Sequence, residues 1–480
     1  MHKIAQPIPE SRMVNWKVAG CKTMADPEAS VMVTLGTDDD HKVIQDAIDS
    51  FNGKPGKVVL PAGTFNINQH VRMKSGVVLE GQGATKTTLA FKTEKSRPCI
   101  FVEPLSLGAQ KLEKIVRVPP KMGATSVKVA DTSSFKVGDY AEIRQDNGSW
   151  NKVPTEWSKY AVGQFVKITN ITDTEIHFQN PLRIDYDLNL HPTISAYTPI
   201  TKVGLKGFKI SRNNNPDQAS NNNIHFKYAA DCWVEGIESN VSVAAHVNID
   251  HSTNITIRGC YMHHAYDYSG VGTKGYGVML INHTGECLIE NNCFQHLRHP
   301  MIVKQGANGN VFAYNYSCDE YRSEMMHHVG GSIQLHGHYA FCNLFEGNEV
   351  ENIWVDHTWG PSGPYNTFFR NRVTLHGIYY SPHGENGNNH NWVANEITHK
   401  GLNYGFFKIN GSGHIKVANG HKKASKDTVE VSSYVYDTRP YFWVYPETLF
   451  ATIGQPSHFD KDWIPAHIRY SKGDFTCIHN

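Results

Sequence analysis

Short apolar runs, each closed by a turn residue, recur through the middle of the chain. They are NITIRGC (254–260), CLIENNC (287–293), NVFAYNY (310–316), NLFEGNE (343–349), NTFFRNR (366–372) and NWVANE (391–396). Each has the length of a short strand pair. The marker position falls at Gly259, Asn292, Asn315, Asn348, Asn371 and Asn395, in steps of 33, 23, 33, 23 and 24 residues. A fixed period in this range predicts a solenoid, in which each unit buries its apolar face only against its neighbours. The unrelated hairpins of a β-sandwich would not hold one register over six units. Asparagine suits the corner because it tolerates left-handed backbone, and stacked amides can bond along the stack.

The two long steps place excess residues after Gly259 and after Asn315, in 263–274 and 319–331. Both segments leave the same corner, two coils apart. Strands in a sheet lie about 4.8 Å apart, so the loop bases should be roughly 10 Å apart on one face. The coil 295–305 lies between them. Two walls and a floor predict a groove.

Before the repeat, 37–51 reads as one amphipathic helix with an apolar stripe of Val43, Ile44, Ala47, Ile48 and Phe51. Strands follow in 57–67 and 76–83. Residues 105–200 break the pattern. Two hairpin-rich segments (123–145 and 162–182) flank a polar loop carrying Trp150 and Trp157. The expectation is a small β module inserted between early coils, either structural or extending the groove. Coils resume at 203 and run to about Gly401. The tail from Leu402 is aromatic and irregular. It reads as the cap a solenoid end needs, with the alternative that it folds back beside the groove. The expected segments are 1–104, 105–200, 201–401 and 402–480.

Composition narrows the picture. Forty glycines in 480 residues suit a turn-rich all-β chain. A net charge of +1 argues against a dedicated nucleic-acid binder. No apolar run is long enough to span a bilayer. The first residues, MHKIAQPIPESR, show no leader; a mature start, a phage-type protein and a cytoplasmic protein are all compatible with them. Nine cysteines, an odd number without a CxxC pair, give no disulfide framework. Cys260 and Cys293 each follow a marker and should stack inside the solenoid as small hydrophobes.

The capping helix followed by VVLPAGTFNI (58–67) and VVLEGQGATKTTL (77–89) resembles the opening of the pectate-lyase-like superfamily of right-handed parallel β-helices. That superfamily includes polysaccharide lyases, polygalacturonase-type hydrolases and phage tailspikes. Residues 298–315, 335–348 and 355–372 resemble bacterial β-helix proteins described only as pectate-lyase-like. The resemblance implies an all-β right-handed parallel β-helix, a polysaccharide partner and an extracellular or periplasmic location. Many such proteins form trimers, although no trimerisation segment is recognisable. The arginine and calcium-ligand motifs of pectate lyases are not recognisable; only WVDH (354–357) echoes them.

Counting back from the markers puts Asn282 and His283, Lys304 and Gln305, His336 and His338, Asp356 and His357, and His383 in one stripe, beside Arg298 and His299. This cationic floor suits an anionic glycan. β-Elimination on a uronate needs a base, a carboxylate clamp and an acid. Lys304, His299 and His336 are candidate bases. Arg298 and Arg322 are candidate clamps. Tyr266, Tyr268 or Tyr321 could serve as acid. Hydrolysis needs two carboxylates across the bond. Asp267, Asp319, Glu320, Glu324 and Asp356 are candidates, with Asp267 facing Glu324 the pair to test; Glu346 reads as structural. The pairs His263–His264 and His327–His328, with His336, could converge on a transition metal, and Ca2+ on loop carboxylates is equally open. Trp354, Trp359, Tyr365, Tyr379 and Tyr380 offer faces for sugar, and Trp359 is the one expected to be exposed. With Tyr266, Gln305, His338, His357 and His383, Trp354 and Trp359 make the expected substrate-binding set. The leading expectation is a uronate polysaccharide lyase. The alternatives are a glycoside hydrolase on the same scaffold and a non-catalytic glycan-binding, tailspike-like protein.

Overall fold

The computed structural model describes the chain except residues 1, 37, 94–96, 108–110, 216–220, 325–329, 383, 384, 386 and 480. It is a parallel β-helix of three strands per coil. One face is a twelve-stranded parallel sheet running from Ser30–Met32 to Ile415–Val417. The other two faces are parallel ladders. In one, Tyr261–Ala265 pairs with Cys293–Gln295 and then Tyr316–Cys318. In the other, Tyr276–Ile281 pairs with His299–Val303 and then Ile333–His336. The strands Glu349–Asp356 and Arg372–Tyr380 each run through both ladders, with a register shift between Val350 and Asn352. The helix His41–Ser50 closes the first coil, burying Ile44, Ala47 and Ile48.

The repeating asparagines form a buried ladder. The side-chain amide of Asn292 donates to Asn315, and Asn315 to Asn348, at 2.9 Å. The chain of bonds continues through Asn371 and Asn395 to Asn419. Each carboxamide oxygen also accepts the backbone N–H of the previous coil's asparagine. The left-handed corner is not at these asparagines. It falls one residue earlier, at Gly259, Asn291, Tyr314, Gly347, Arg370, Ala394 and Ala418. The first marker is therefore Cys260, which donates its N–H to Asn292 at 2.9 Å. This one-residue slip leaves the cysteine expectation true of Cys260 and false of Cys293, because neighbouring residues of a strand face opposite ways. Cys260 lies inside the solenoid and Cys293 outside it, under the tail. A second ladder runs from Asn310 through Asn343 to Asn366. Between the ladders, Phe312, Phe345, Phe368 and Trp392 stack face to face in the interior, with centroids 5.3, 5.0 and 4.0 Å apart.

Residues 112–197 form a separate six-stranded antiparallel sheet. It docks on the helix through buried charge. Arg183 pairs with Glu286 and donates to Asn308 at 2.7 Å. His283 meets Glu142 at 2.6 Å. Burial raises the Glu142 carboxyl, but its bond and charge contact with His283 outweigh this and hold it at about 2.

The tail does more than close the last coil. After adding strands at Phe406–Phe407, Ile415–Val417 and Gly420–His421, it runs back along the outer face of the twelve-stranded sheet. That face is apolar at Val311, Ala313, Leu344, Phe369 and Val393, so the sheet is buried on both sides. Arg370 donates to the tail carbonyls of Val429 and Ile453. Cys477 reaches Gly259, and His479 reaches Glu235. Past His421 the tail lies on a different face from the groove, while its first residues, Phe406 and Lys408, reach the end of the groove.

Candidate functional site

The ladder containing His299–Val303 carries the site, and strand alternation decides what it shows. Leu280, Val303, Leu335, Val355 and Tyr380 share one register and point into the core. The next position in each strand therefore points out: Ile281, Lys304, His336, Asp356 and Ser381. Two positions back, Met279, Ile302, Gln334, Trp354 and Tyr379 also point out. The stripe begins with Ile281 rather than Asn282, one residue from the expected alignment. Asn282 instead donates to Asp250 at 2.7 Å, and His283 is spent on the inserted module.

The two long loops do not stand apart as walls. They clasp each other. Tyr268 meets Tyr321 edge to face at 4.9 Å. Arg322 pairs with Glu324 at 2.6 Å, and Glu324 accepts the N–H of Gly270. The joined loops close one side of a cleft of about 1060 Å³. Trp157 of the inserted module and Trp359 form the opposite side. His376, Phe406 and Lys408 line its end.

On the floor, His336 Nδ1 lies 2.7 Å from Asp356 Oδ2. The other carboxylate oxygen accepts Ser381 Oγ and the Thr358 N–H, both at 2.9 Å. Ser381 in turn accepts Trp354 Nε1 at 2.9 Å. Burial opposes ionisation of Asp356, but His336 and Thr358 hold its carboxyl well below the usual range. An ionised Asp356 fixes the proton of His336 on Nδ1 and leaves Nε2 as a free lone pair. His299 has the opposite polarity. Its Nδ1 accepts the N–H of Gly331 at 3.0 Å, so the proton sits on Nε2. Burial, with Arg298 and His336 beside it, keeps this imidazole well below its usual range, hence neutral. His299 is thereby a donor to the cleft and not a base.

Lys304 is partly buried on the floor. Burial pushes its ammonium down to about 8; Asp250 opposes the shift and Arg298 adds to it. Arg298 is 3% exposed and donates to Gly272 O and Tyr276 Oη, both at 2.9 Å. Its Nε and Nη1 have no partner among the described residues.

Of the expected residues, the fold brings Arg298, His299, Lys304, Gln305, Arg322, His336, Trp354, Asp356 and Trp359 to the cleft, with Tyr379 and Tyr380. His338 is buried beneath Trp157, 4.6 Å between rings, and His357 beneath Tyr380. The tyrosines Tyr266, Tyr268 and Tyr321 lie outside the lining, tied to Arg212 O, to the Ala265 N–H and to His296. Asp267 pairs with Lys274 and Glu324 with Arg322, and neither lines the cleft. Asp319 binds His296, while Glu320 is bonded to Ser332 and Asn352 below the second loop. Glu346 is wholly buried and accepts from Ser433 and Tyr434 of the tail. His263 is bonded to His264 and Glu238. His327, His328 and His383 lie outside the described residues. Among the described residues no three His, Cys, Asp or Glu side chains are set to hold a metal ion. Tyr276, Gln334, Ser381 and Trp157 also line the cleft. The register would have singled out Gln334 and Ser381, two positions before and twenty-five after the conspicuous His336 and Asp356.

A family model described as rhamnogalacturonase A/epimerase, pectate lyase-like, matches residues 33–180, the early coils and most of the inserted module. Among curated proteins none matches in sequence. Two solved structures share the fold. The tailspike gp49 from Pseudomonas phage LKA1 is 15% identical with a TM-score of 0.54, covering 74% of this chain and 57% of its own. The tailspike gp61 of Pseudomonas phage phi297 is 13% identical with a TM-score of 0.56, covering 81% of this chain and 62% of its own. The chain thus spans about three-fifths of the length of these tailspikes. From the coil ladder and these neighbours the chain is a parallel β-helix, and over residues 33–180 it is similar to pectate-lyase-like proteins.

Proposed function

We propose that the protein acts on an acidic polysaccharide by taking the proton next to a uronate carboxylate and eliminating the glycosidic oxygen. One observation carries this reading. The described cleft lining holds a single carboxylate, Asp356, and that group is committed to His336. Hydrolysis by two facing carboxylates lacks a second acid there. His336 Nε2 is the base. It accepts the proton from the carbon bearing the carboxylate, and Asp356 stabilises the imidazolium that forms. Arg298 supplies positive charge to the substrate carboxylate, which makes that proton more acidic. The electron pair of the broken C–H bond becomes a C=C bond as the neighbouring C–O bond breaks. Lys304, protonated below about pH 8, gives its proton to the departing oxygen. The family model's description, rhamnogalacturonase A/epimerase, pectate lyase-like, agrees with a polysaccharide as substrate.

The test is turnover of polygalacturonate, alginate, glucuronan and glycosaminoglycans, with and without added Ca2+. Ultraviolet absorbance of the unsaturated product and new reducing ends are followed together. Elimination gives both signals. Reducing ends without absorbance would replace this reading with hydrolysis. Solvent deuterium entering the sugar without new ends would keep His336 as base but turn the reaction into epimerisation. Glycan binding with no signal in any channel would favour the non-catalytic alternative.

A further inference from the structure

Among the described residues of the inserted module, Trp157 alone lines the cleft, and it is held rigidly. Trp157 sits on a single helical turn, Glu156–Ser158, with 47% of its surface exposed. The turn is fixed from within by the 2.7 Å bond between Thr155 and Ser158. Asn147 bridges Ser158 O and the Ala161 N–H at 2.8 and 2.9 Å. It is also fixed from the β-helix: Gln305 donates to Trp157 O at 2.5 Å, and His283 contacts Tyr160 O. The approach is so close that a Cβ at Gly306 would lie 2.0 Å from Ala161 O.

Across from it, Trp359 is 39% exposed, its ring centroid 6.0 Å away and inclined by 70°. Gly337, in the turn after His336, makes room for it; a Cβ there would meet Trp359 Cβ at 3.2 Å. The floor of this corner is His338, fully buried, with neither ring nitrogen bonded among the described residues. Lys304 Nζ lies 5.7 Å from the Trp157 ring. Two indoles held edge to face leave large apolar areas open to water, which a folded surface normally avoids unless something covers them.

We propose that Trp157 and Trp359 form a binding subsite for one pyranose ring of an acidic glycan, adjoining the ring attacked by His336, so that the inserted module takes part in reading the substrate. An indole face matches the C–H face of a pyranose. The perpendicular second indole covers its edge. The ammonium of Lys304 beside the corner meets a charged group on the neighbouring ring. The inference rests on the acidic-glycan reading above, but it concerns binding and can be separated from turnover.

The experiment is calorimetric titration of the full chain with oligogalacturonate, oligomannuronate and, as an uncharged comparison, cello-oligosaccharide. The variants are Trp157→Ala, Trp157→Phe, Trp359→Ala and, as a control, Trp463→Ala. Trp463 is 48% exposed on the tail, stacked on His467. Removing the Trp157 indole leaves the carbonyl that Gln305 binds, and thermal melts check that each variant folds. The expected result is binding of an acidic oligosaccharide that weakens about 10-fold in Trp157→Ala and in Trp359→Ala, is largely kept in Trp157→Phe, and is unchanged in Trp463→Ala. Equal binding by wild type and Trp157→Ala would overturn the subsite, as would failure of both acidic oligosaccharides to bind. Tryptophan-dependent binding of the uncharged sugar alone would overturn its acidic class. If binding depends on Trp157 while neither absorbance nor deuterium exchange arises, the subsite stands and the elimination reading falls. If products form with an unchanged KM in Trp157→Ala, the reverse holds.

Discussion

At the scale of single residues, the site is a question of where protons sit. His336 and His299 are both imidazoles on one floor, yet their partners give them opposite roles. A carboxylate holds the proton of His336 on Nδ1, and a backbone N–H occupies Nδ1 of His299. His336→Ala is therefore expected to lose about 10²–10⁴-fold in kcat, the usual contribution of a positioned base, with KM little changed. Steady-state kinetics on the best polyuronate checks this. Lys304 sets a second expectation. The proposed role as acid requires the ammonium, and burial in the folded protein lowers that group to about 8. The rate should fall as pH rises through about 8, and Lys304→Arg should move that fall upward, because guanidinium stays protonated. A pH–rate profile that keeps its alkaline limb in Lys304→Arg would remove Lys304 from the step. Structural asparagines obey a similar logic. Replacing Asn348 by Ala leaves the carboxamide nitrogen of Asn315 and the carbonyl of Phe312 without their partner in the interior. The expected cost is about 1–3 kcal/mol per group left unpaired, measured by chemical denaturation.

At the scale of elements, a half-buried acid pair joins Glu320 of the second loop to Glu351 on the strand Glu349–Asp356. Glu320 accepts from Ser332 and Asn352 at 2.8 and 2.6 Å, and Glu351 accepts the Glu320 N–H at 2.6 Å. Burial raises the Glu320 carboxyl to about 8, with Glu351 adding to the shift. A carboxyl raised in the folded state favours folding fully below its ordinary value of 4.5, and that contribution is lost as pH rises toward about 8. Thermal stability should therefore decline across that window, and Glu320→Gln should flatten the decline. Melting curves at stepped pH decide it. Elements also show where the linear pattern stopped being readable. The helix His41–Ser50, the coil period and the departure of both loops from one corner follow from apolar spacing alone. The clasp between the loops does not, because it depends on Arg322, Glu324, Tyr268 and Tyr321 meeting across a coil. The alignment of the floor missed by one residue at Asn282, since a strand reverses its faces with each step.

At the scale of the molecule, three layers depend on one another: the solenoid, the inserted sheet and the tail. The tail covers an apolar outer face and neutralises buried charge there. Arg372 pairs with Glu396 and donates to Asp462 O at 2.8 Å. Tyr436 and Tyr441 both reach Glu290. Removal of residues 430–480 is expected to give insoluble chain, since Val311, Leu344, Phe369 and Val393 would face water as one stripe. Fractionation after expression, beside the full chain, checks this.

What the sequence by itself determined is the solenoid. Its period, its asparagine ladder and its interior are local and repeat, and each unit needs only its neighbours. It also put Lys304, His336 and Asp356 on one exposed ladder face, because strand alternation is a property of the backbone, but it did not separate them from the buried His338 and His357. Only the tertiary structure decided the chemistry of the cleft. Asp267 and Glu324 read as catalytic acids until their ion pairs with Lys274 and Arg322 are seen. Trp157 reads as a loop aromatic until Gln305 and His283 hold its turn against the floor. Partners far apart in the chain set charge, proton position and exposure, and a linear pattern carries no record of them.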